Sequence, residues 1–191
     1  LSGFLPTLIE LDRVNFSGLH TVYVSPLKAL AADIKRNLMI PIEEMGLNIK
    51  VEDRTGDTTA KTKRRQRIDP PQILLTTPES LALLISFPEA NALFANLERI
   101  IIDEIHALVE NKRGHQLLLA ISRLQSISKT LRKLGLSATV DHPQEIASFI
   151  SENENKCPII FAEPGPDPNI SMLQTTASPP WSGAGAAYAV P

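Results

Sequence analysis

Residues 99–106 read Arg-Ile-Ile-Ile-Asp-Glu-Ile-His, and this stretch indicates both the class of fold and the position of the functional site. A run of aliphatic residues that stops at acidic residues is typical of a buried central strand whose carboxyl end carries a functional site. Asp103 and Glu104 follow the run directly, and neighbouring residues at a strand end point in different directions, so each carboxylate can have its own task. The alternative is that the two acids only charge the first turn of a helix, where negative side chains are favoured.

Strand and helix patterns alternate on both sides of this stretch, which predicts a parallel sheet flanked by helices. The expected strands cover residues 20–25, 48–52, 72–76, 98–103, 132–136 and 158–162. The expected helices cover residues 1–13, 27–46, 58–68, 78–86, 104–109, 114–128 and 143–151. Polar motifs lie at the carboxyl ends of these strands, where open α/β sheets bind their ligands.

The composition fits one ordinary globular domain and excludes several classes of protein. The chain has 191 residues, of which 43% are hydrophobic and 21% are charged, close to average globular usage. No apolar stretch approaches the roughly 20 residues of a membrane span, and no basic-then-apolar leader begins the sequence. The single Cys157 excludes an intramolecular disulfide and favours a reducing compartment, so we expect a cytoplasmic location.

Four other short motifs stand in order around Asp-Glu-Ile-His. They are Ser25-Pro26-Leu27-Lys28, Thr55-Gly56-Asp57-Thr58, Thr76-Thr77-Pro78-Glu79 and Leu136-Ser137-Ala138-Thr139. Taken together, the five motifs resemble those of the first RecA-like motor domain of a superfamily 2 DExH-box helicase. The resemblance is in particular to the large helicase-related (Lhr) family, including its bacterial ligase-associated branch, and it covers nearly the whole chain.

This resemblance implies an ATP-driven DNA helicase or translocase of 3′-to-5′ polarity that acts in DNA repair and uses ATP and Mg²⁺ as cofactors. Asp103 would bind Mg²⁺, Glu104 would activate the attacking water, and His106, Ser137 and Thr139 would link hydrolysis to the nucleic-acid track. The partner would be single-stranded or partly duplex DNA, with RNA as a second candidate because backbone contacts carry no base identity. The residues expected to hold the strand backbone are Pro26, Lys28, Thr55, Gly56, Asp57, Thr77 and Pro78.

Each motif also has a purely structural explanation. Pro26 can mark an ordinary helix start, residues 55–58 can cap the next helix, and Thr77-Pro78 suits the N-cap and first position of a helix. Residues 137–139 can form a strand-end turn. The net charge of −2 argues against a generally basic nucleic-acid surface, so any such contact is local. One basic run, which is either a solvated helix face or a phosphate contact, comprises Lys61, Lys63, Arg64, Arg65 and Arg67.

The sequence departs from the family pattern at the phosphate grip. A P-loop reads Gly-x-x-x-x-Gly-Lys-Ser/Thr, so that backbone amides and a lysine hold the phosphates, yet no Gly-Lys dipeptide occurs in this chain. Residues 1–6 resemble the helix that follows the P-loop, and we therefore interpret the chain as a fragment. Residues 1–163 are then an incomplete first RecA-like domain, and the Pro/Gly-rich residues 164–191 are a linker towards a missing second RecA-like domain. We expect such a fragment to be catalytically inactive alone and, with unpaired strand edges, only marginally stable.

Two functions of other classes stay open from the sequence. One is an RNA-directed motor of similar architecture, which contacts to 2′-hydroxyl groups would distinguish from a DNA motor. The other is a non-hydrolysing scaffold for nucleic acid or protein that natively lacks the P-loop. The chain does not contain the His-Glu-x-x-His motif of a zinc protease, and a metal-dependent nuclease would need more converging carboxylates than the sequence places.

Overall fold

The computed structural model describes residues 2–109, 111–138, 140, 142–151 and 157–162. The chain divides into two compact units, Leu1–Ile159 and Ile160–Pro191, and the sheet belongs to the first of them. No helix among the described residues is long and apolar enough to span a bilayer. The predicted linker, residues 164–191, lies outside the described residues.

Five parallel strands form one sheet. They are β1 (Thr21–Val24), β2 (Val51–Arg54), β3 (Ile73–Thr76), β4 (Arg99–Ile102) and β5 (Arg132–Gly135). The strands lie in the order β2-β3-β1-β4-β5, and each adjacent pair is parallel. The three inner strands are buried at every position, as strands covered on both faces are. The predicted parallel α/β sheet is thereby confirmed.

A short 3₁₀ helix at Ser2–Phe4 and a set of α-helices flank the sheet. The α-helices of the described residues are α1 (Leu5–Arg13), α2 (Lys28–Glu44), α3 (Ala60–Ile68), α4 (Pro78–Ile85), α5 (Ala90–Leu93), α6 (His106–Val109), α7 (Lys112–Ile127) and α8 (Pro143–Ile150). The short α5 was absent from the sequence prediction.

Two apolar cores lie on opposite faces of the sheet because successive side chains of a strand point to opposite sides. Val22 and Val24 of β1 join the core that contains α4 and α7, and Tyr23 between them joins the core that contains α1 and α2. Ile101 of β4 shares the second core with Tyr23. The sheet is thus packed on both faces, which gives the ends of its strands fixed positions.

The structure corrects two of the predicted strands. Residues 157–162 are described and form no strand, so the predicted sixth strand at 158–162 is wrong. Ile160 and Phe161 are exposed there, and their apolar pattern therefore does not mark a buried strand. The strand predicted at 48–52 lies instead at Val51–Arg54, where two of four positions are only half-buried, as suits the edge of a sheet.

β5 forms the other edge of the sheet and is the least buried strand. Its one described neighbour is β4, with which it pairs from Arg132 to Gly135. Leu134 and Leu136 are only partly buried and pack against the core near Gly3, where an added Cβ would lie 3.1 Å from Leu136 Cδ1. The edge strand accordingly contributes less apolar burial than the inner strands do, and the predicted marginal stability stays a prediction.

A network of charged and polar side chains ties α1 to the amino end of the sheet, away from the motifs. The Glu10 carboxylate accepts two hydrogen bonds from Arg99, at 2.9 and 3.0 Å, and further ones from Arg132. Arg99 is buried and also donates to the Thr7 hydroxyl at 2.8 Å. His20 Nε2 lies 3.5 Å from Glu10 Oε2. Glu10 is therefore the counter-ion of a buried arginine.

This network predicts a loss of stability on acidification. The hydrogen bond from Arg99 is the largest cause that lowers the pKa of Glu10, from 4.5 to about 2, and burial lowers the pKa of His20. The unfolded chain binds these protons more tightly, so the free energy of unfolding falls below pH 6.5 through His20, and between pH 4.5 and 2 through Glu10. We expect Glu10 to contribute about 1–2 kcal/mol, because solvent screens this partly exposed carboxylate. In urea unfolding at several pH values, the free energy of unfolding of the Glu10→Gln variant should depend less on pH below 4.5 than that of the wild type. The same pH dependence in both proteins would contradict this prediction.

Candidate active site and nucleic-acid interface

The strand register brings the ends of all five strands into one row. Val24 aligns with Thr76 on one side and with Ile102 on the other. Arg54 aligns with Thr76, and Gly135 aligns with Ile102. Each motif starts at or just after one of these positions, so the register places all five at the carboxyl edge of the sheet, where α/β folds bind ligands.

Asp103 directly follows β4 and is held by three hydrogen bonds. Its N–H donates to the Val24 carbonyl at 2.9 Å. Its Oδ1 accepts the Glu104 N–H at 3.0 Å, and its Oδ2 accepts the Tyr23 hydroxyl hydrogen. These bonds anchor the carboxylate to the sheet, whereas an acid that only charged a helix turn would not need a partner on a neighbouring strand.

Tyr23 is a contributor to the site that the sequence reasoning missed. It lies in the middle of β1, is fully buried, and packs its ring 5.3 Å from that of Phe4. Burial and the hydrogen bond to Asp103 raise the pKa of the Tyr23 hydroxyl, which therefore stays protonated and donates. The one available signal was a hydroxyl-bearing aromatic residue between the two valines of the strand.

Glu104, His106 and Ser137 form a connected array beside Asp103. Glu104 has a φ of 46°, a left-handed conformation that residues other than glycine seldom adopt and that is found disproportionately at functional sites. Glu104 Oε2 lies 3.5 Å from His106 Nε2, and His106 Nδ1 lies 2.6 Å from Ser137 Oγ. The array joins the end of β4 to the residue that follows β5 and Leu136, as expected for the contact between these two motifs. Thr139 lies outside the described residues.

Asp103 is the residue whose chemistry fits a magnesium ion. Mg²⁺ typically takes one or two carboxylates and completes its shell with water and substrate phosphates. The Asp103 carboxylate is a hard oxygen ligand, partly exposed and fixed in orientation at the end of β4. Glu104 is directed towards His106 instead, which leaves the two acids with different surroundings.

Lys28 and Asp57, two of the expected strand contacts, pair with each other. Lys28 Nζ donates to both carboxylate oxygens of Asp57, at 2.9 and 3.0 Å. The side chains of Lys28 and Asp57 are 53% and 79% exposed, so solvent and ligands reach both. Gly56 lies beneath them, and a Cβ at that position would be 3.1 Å from Lys28 Nζ. The motifs after β1 and β2 thus form one exposed polar surface.

The other expected strand contacts are buried and support the loops. Pro26, Thr55, Thr77 and Pro78 are all buried. Thr55 Oγ1 accepts the Asp57 N–H at 3.3 Å, which shapes the turn that presents Asp57. Of the seven residues, Lys28, Gly56 and Asp57 are therefore those with surface to offer a nucleic-acid strand.

Helix caps explain part of the motif chemistry. Thr77 accepts the Ser80 N–H at 3.4 Å and Pro78 is the first residue of α4, as predicted. The cap of α3 is Thr59, which accepts the Thr62 N–H at 3.2 Å, and the structure therefore corrects the idea that residues 55–58 supply that cap. Residues 55–58 instead form the turn between β2 and α3.

The basic run of α3 is largely paired within the protein. Arg65 pairs with Glu52 and Asp69, Lys63 donates to the Gly56 carbonyl at 3.0 Å, and the Arg67 guanidinium lies 4.0 Å from the centre of the Phe87 ring. These contacts fix α3 against the sheet edge. A phosphate-binding surface made of all five cations is thereby disfavoured, and Lys61 and Arg64 are the exposed members.

A family model described as "DEAD/DEAH box helicase" matches residues 1–147 of the chain. The chain belongs to this helicase family. The match spans all five strands, both acidic residues and Ser137, and it confirms the family predicted from the motifs.

Relatives of this chain carry the Lhr name. The chain is 40% identical over 165 residues to the ATP-dependent helicase Lhr-Core protein 2 of Thermococcus barophilus, covering 78% of this chain and 19% of that protein. It is 41% identical over 175 residues to the ATP-dependent helicase Lhr-Core of Methanocaldococcus jannaschii, covering 84% of this chain and 21% of that protein. The predicted resemblance to the Lhr family is confirmed.

A solved structure supports the same relationship. The structure of Mycobacterium smegmatis helicase Lhr bound to ssDNA and AMP-PNP has a TM-score of 0.70 and 38% identity with this chain. The likeness covers 82% of this chain and 21% of that one. The chain therefore spans about a fifth of the length of these relatives.

Proposed function

We propose that this chain is part of an ATP-dependent DNA helicase, in which it forms most of the first RecA-like motor domain. The observation that carries the proposal is the row of strand ends, which places Asp103 and Glu104 at the same sheet edge as the exposed Lys28 and Asp57. A motor needs a hydrolysis site and a strand-binding surface on one rigid support, so that hydrolysis at the first shifts the position of the second. The Lhr relatives, named ATP-dependent helicases, support this function.

The chemistry of hydrolysis divides among the residues of this edge. Asp103 would hold Mg²⁺, which neutralises phosphate charge when bound. Glu104 would orient and deprotonate the attacking water, since it lies next to Asp103 and its carboxylate lies 3.5 Å from His106 Nε2. His106 and Ser137 would transmit the structural change on ATP hydrolysis from the end of β4 to the end of β5 through their 2.6 Å hydrogen bond. Thr139 would belong to the same connection.

The phosphate grip for ATP is not encoded in this sequence, which has no Gly-Lys dipeptide. A P-loop lysine and its backbone amides are what hold the β- and γ-phosphates in such motors. We therefore propose that a P-loop and a second RecA-like domain complete the site in the whole protein. Residues 1–163 would form the incomplete first domain, and residues 164–191 would be the linker.

DNA is the nucleic acid we propose as partner, and the ssDNA in the related Lhr structure supports this choice. The contacts of the exposed surface would be to the strand backbone, which both nucleic acids share. The 3′-to-5′ polarity and a role in DNA repair rest on the family resemblance alone. Turnover measured on matched DNA and RNA strands would separate a DNA motor from an RNA-directed one.

Lys28 offers a direct test of the strand-binding surface. In the whole protein, we expect Lys28→Ala to lower the salt dependence of single-stranded DNA binding by about 0.7 in the slope of log affinity against log salt, the value for one phosphate contact. The affinity should fall uniformly across unrelated DNA sequences, because a phosphate contact does not read bases. Fluorescence anisotropy at several salt concentrations measures both quantities.

Lys35 provides the matched control. It forms a similar lysine–aspartate pair, with Lys35 Nζ 2.6 Å from Asp53 Oδ1, but it lies seven residues further along α2 than Lys28, and Asp53 lies within β2 rather than in the turn after it. Lys35→Ala should leave the salt slope unchanged. Equal effects of the two substitutions, or no effect of either, would contradict the assignment of this surface.

A further inference from the structure

Arg113 joins two motif loops that are far apart in the sequence. Its guanidinium donates through Nε and Nη2 to the two carboxylate oxygens of Glu79, in the first turn of α4. The same Nη2 donates to the Pro26 carbonyl at 2.7 Å. One side chain at the start of α7 thus contacts the loop after β1 and the helix after β3, both of which border the proposed strand-binding surface.

The start of α7 is built to place Arg113 there. Asn111 caps the helix, because its Oδ1 accepts the Gly114 N–H at 3.0 Å. Gly114 touches the end of α6 so closely that an added Cβ would lie 1.8 Å from the Leu108 carbonyl oxygen. The backbone on both sides of Arg113 is therefore fixed against the segment that follows Asp-Glu-Ile-His.

The side chains at this junction favour a charged contact that solvent only partly screens. Arg113 is 40% exposed and Glu79 is 50% exposed. Burial raises the pKa of Glu79, but the hydrogen bond from Arg113 and further hydrogen bonds outweigh it and lower that pKa below its usual value. Glu79 is thus ionised at neutral pH and accepts both donors of the planar guanidinium.

We propose that Arg113 is a positioning residue that ties Pro26, two residues before Lys28, to the first turn of α4 and so holds Lys28 in place for the nucleic-acid backbone. The proposal rests on the proposed function and extends it to a residue outside the five motifs. Arg113 donates through Nε and Nη2 to Glu79 and Pro26, and the proposal assigns it this bracing role rather than a contact with the strand. Because only the short α6 separates the acidic motif from α7, the brace formed by Arg113, Glu79 and Pro26 also connects the hydrolysis segment to the strand-binding surface.

The geometry requires arginine. The rigid guanidinium meets a carboxylate with two parallel hydrogen bonds and still reaches a carbonyl, whereas a lysine ammonium is a single point charge on a flexible stem. Arg113→Lys should therefore behave more like Arg113→Ala than like the wild type. Glu79→Gln removes the charge from the other side of the same contact.

The first test is single-stranded DNA binding by the whole protein, measured by anisotropy over a range of salt. We expect Arg113→Ala and Glu79→Gln each to weaken binding about fivefold, and the double variant to be no weaker than Arg113→Ala alone. The slope against salt should change by the same amount in Arg113→Ala and in Glu79→Gln, since the proposal gives Arg113 no phosphate contact of its own. Arg123→Ala is the matched control, because Arg123 is an exposed arginine of the same helix, and it should bind like the wild type.

Three results of this binding test would overturn the brace. A slope that falls by about 0.7 in Arg113→Ala but stays unchanged in Glu79→Gln, which keeps the arginine, would make Arg113 a direct phosphate contact. Additive effects of Arg113→Ala and Glu79→Gln would show that the two residues act independently. Wild-type-like binding by both variants would contradict the brace and leave the proposed function intact. If the wild-type protein itself bound no nucleic acid, the proposed function would fail.

Hydrogen exchange provides a readout that needs no activity. In the 191-residue chain, Arg113→Ala should raise amide exchange in peptides that cover residues 25–30 and 77–82 and leave peptides that cover residues 51–54 unchanged. Uniformly raised exchange would indicate general destabilisation and would contradict a local brace. Unchanged exchange in both loops would contradict it as well.

Discussion

Glu104→Gln should lower ATP turnover by about a thousandfold in the whole protein, the usual range for loss of a general base. The substitution keeps the size of the side chain and removes its ability to take a proton from water. Asp103 and its three hydrogen bonds are untouched, so nucleotide affinity should stay close to that of the wild type. Phosphate release measures the turnover, and titration with a fluorescent ATP analogue measures the affinity.

Glu98→Gln serves as the control for this experiment. Glu98 precedes β4, at the opposite end of the strand from Glu104, and its carboxylate lies 3.9 Å from Arg132. The Glu98→Gln variant should therefore hydrolyse ATP at the wild-type rate. Wild-type turnover by Glu104→Gln would remove Glu104 from the role of general base, and lost affinity in that variant would point to nucleotide binding instead.

Gly114→Ala should destabilise the chain by about 3 kcal/mol, the upper part of the range for overpacking. The new Cβ would lie 1.8 Å from the Leu108 carbonyl oxygen and 2.7 Å from its carbon, and both are backbone atoms that cannot rotate away. Relief requires α7 to move from α6, which also weakens the cap at Asn111. Urea unfolding followed by circular dichroism measures the loss.

Gly56→Ala is the matched substitution at a site that can adapt. There the nearest atom is the end of the flexible Lys28 side chain, at 3.1 Å, which can rotate aside. We expect its stability to change by less than about 1 kcal/mol. Equal midpoints for Gly114→Ala and the wild type would show that the close approach of α6 and α7 is not required.

The inner strands could be predicted because their aliphatic runs are buried on both faces and stop at polar residues. The edge strand β2 was harder to place, since Val-Glu-Asp-Arg has no continuous apolar pattern. The start of α3 depended on which of several adjacent hydroxyl residues forms the cap, and Thr59 does so. Such choices depend on tertiary contacts that local propensity does not report.

The location of the candidate site followed from the strand ends, but its internal contacts did not. Tyr23 and Asp103 are 80 residues apart, and Lys28 and Asp57 are 29 apart. A periodic pattern reports which face of an element is buried, and it says nothing about which polar groups meet across neighbouring strands. The functional roles of these residues stay predictions that the substitutions test.

The proposal that the chain belongs to an ATP-driven motor is tested most directly by strand displacement with the whole protein. Two substrates, one duplex with a 3′ single-stranded tail and one with a 5′ tail, are incubated with ATP and Mg²⁺ and resolved on a native gel. We predict displacement of the 3′-tailed substrate, no displacement without ATP, and none by Glu104→Gln. Failure to displace either substrate with ATP present, or equal displacement without ATP, would contradict the motor function.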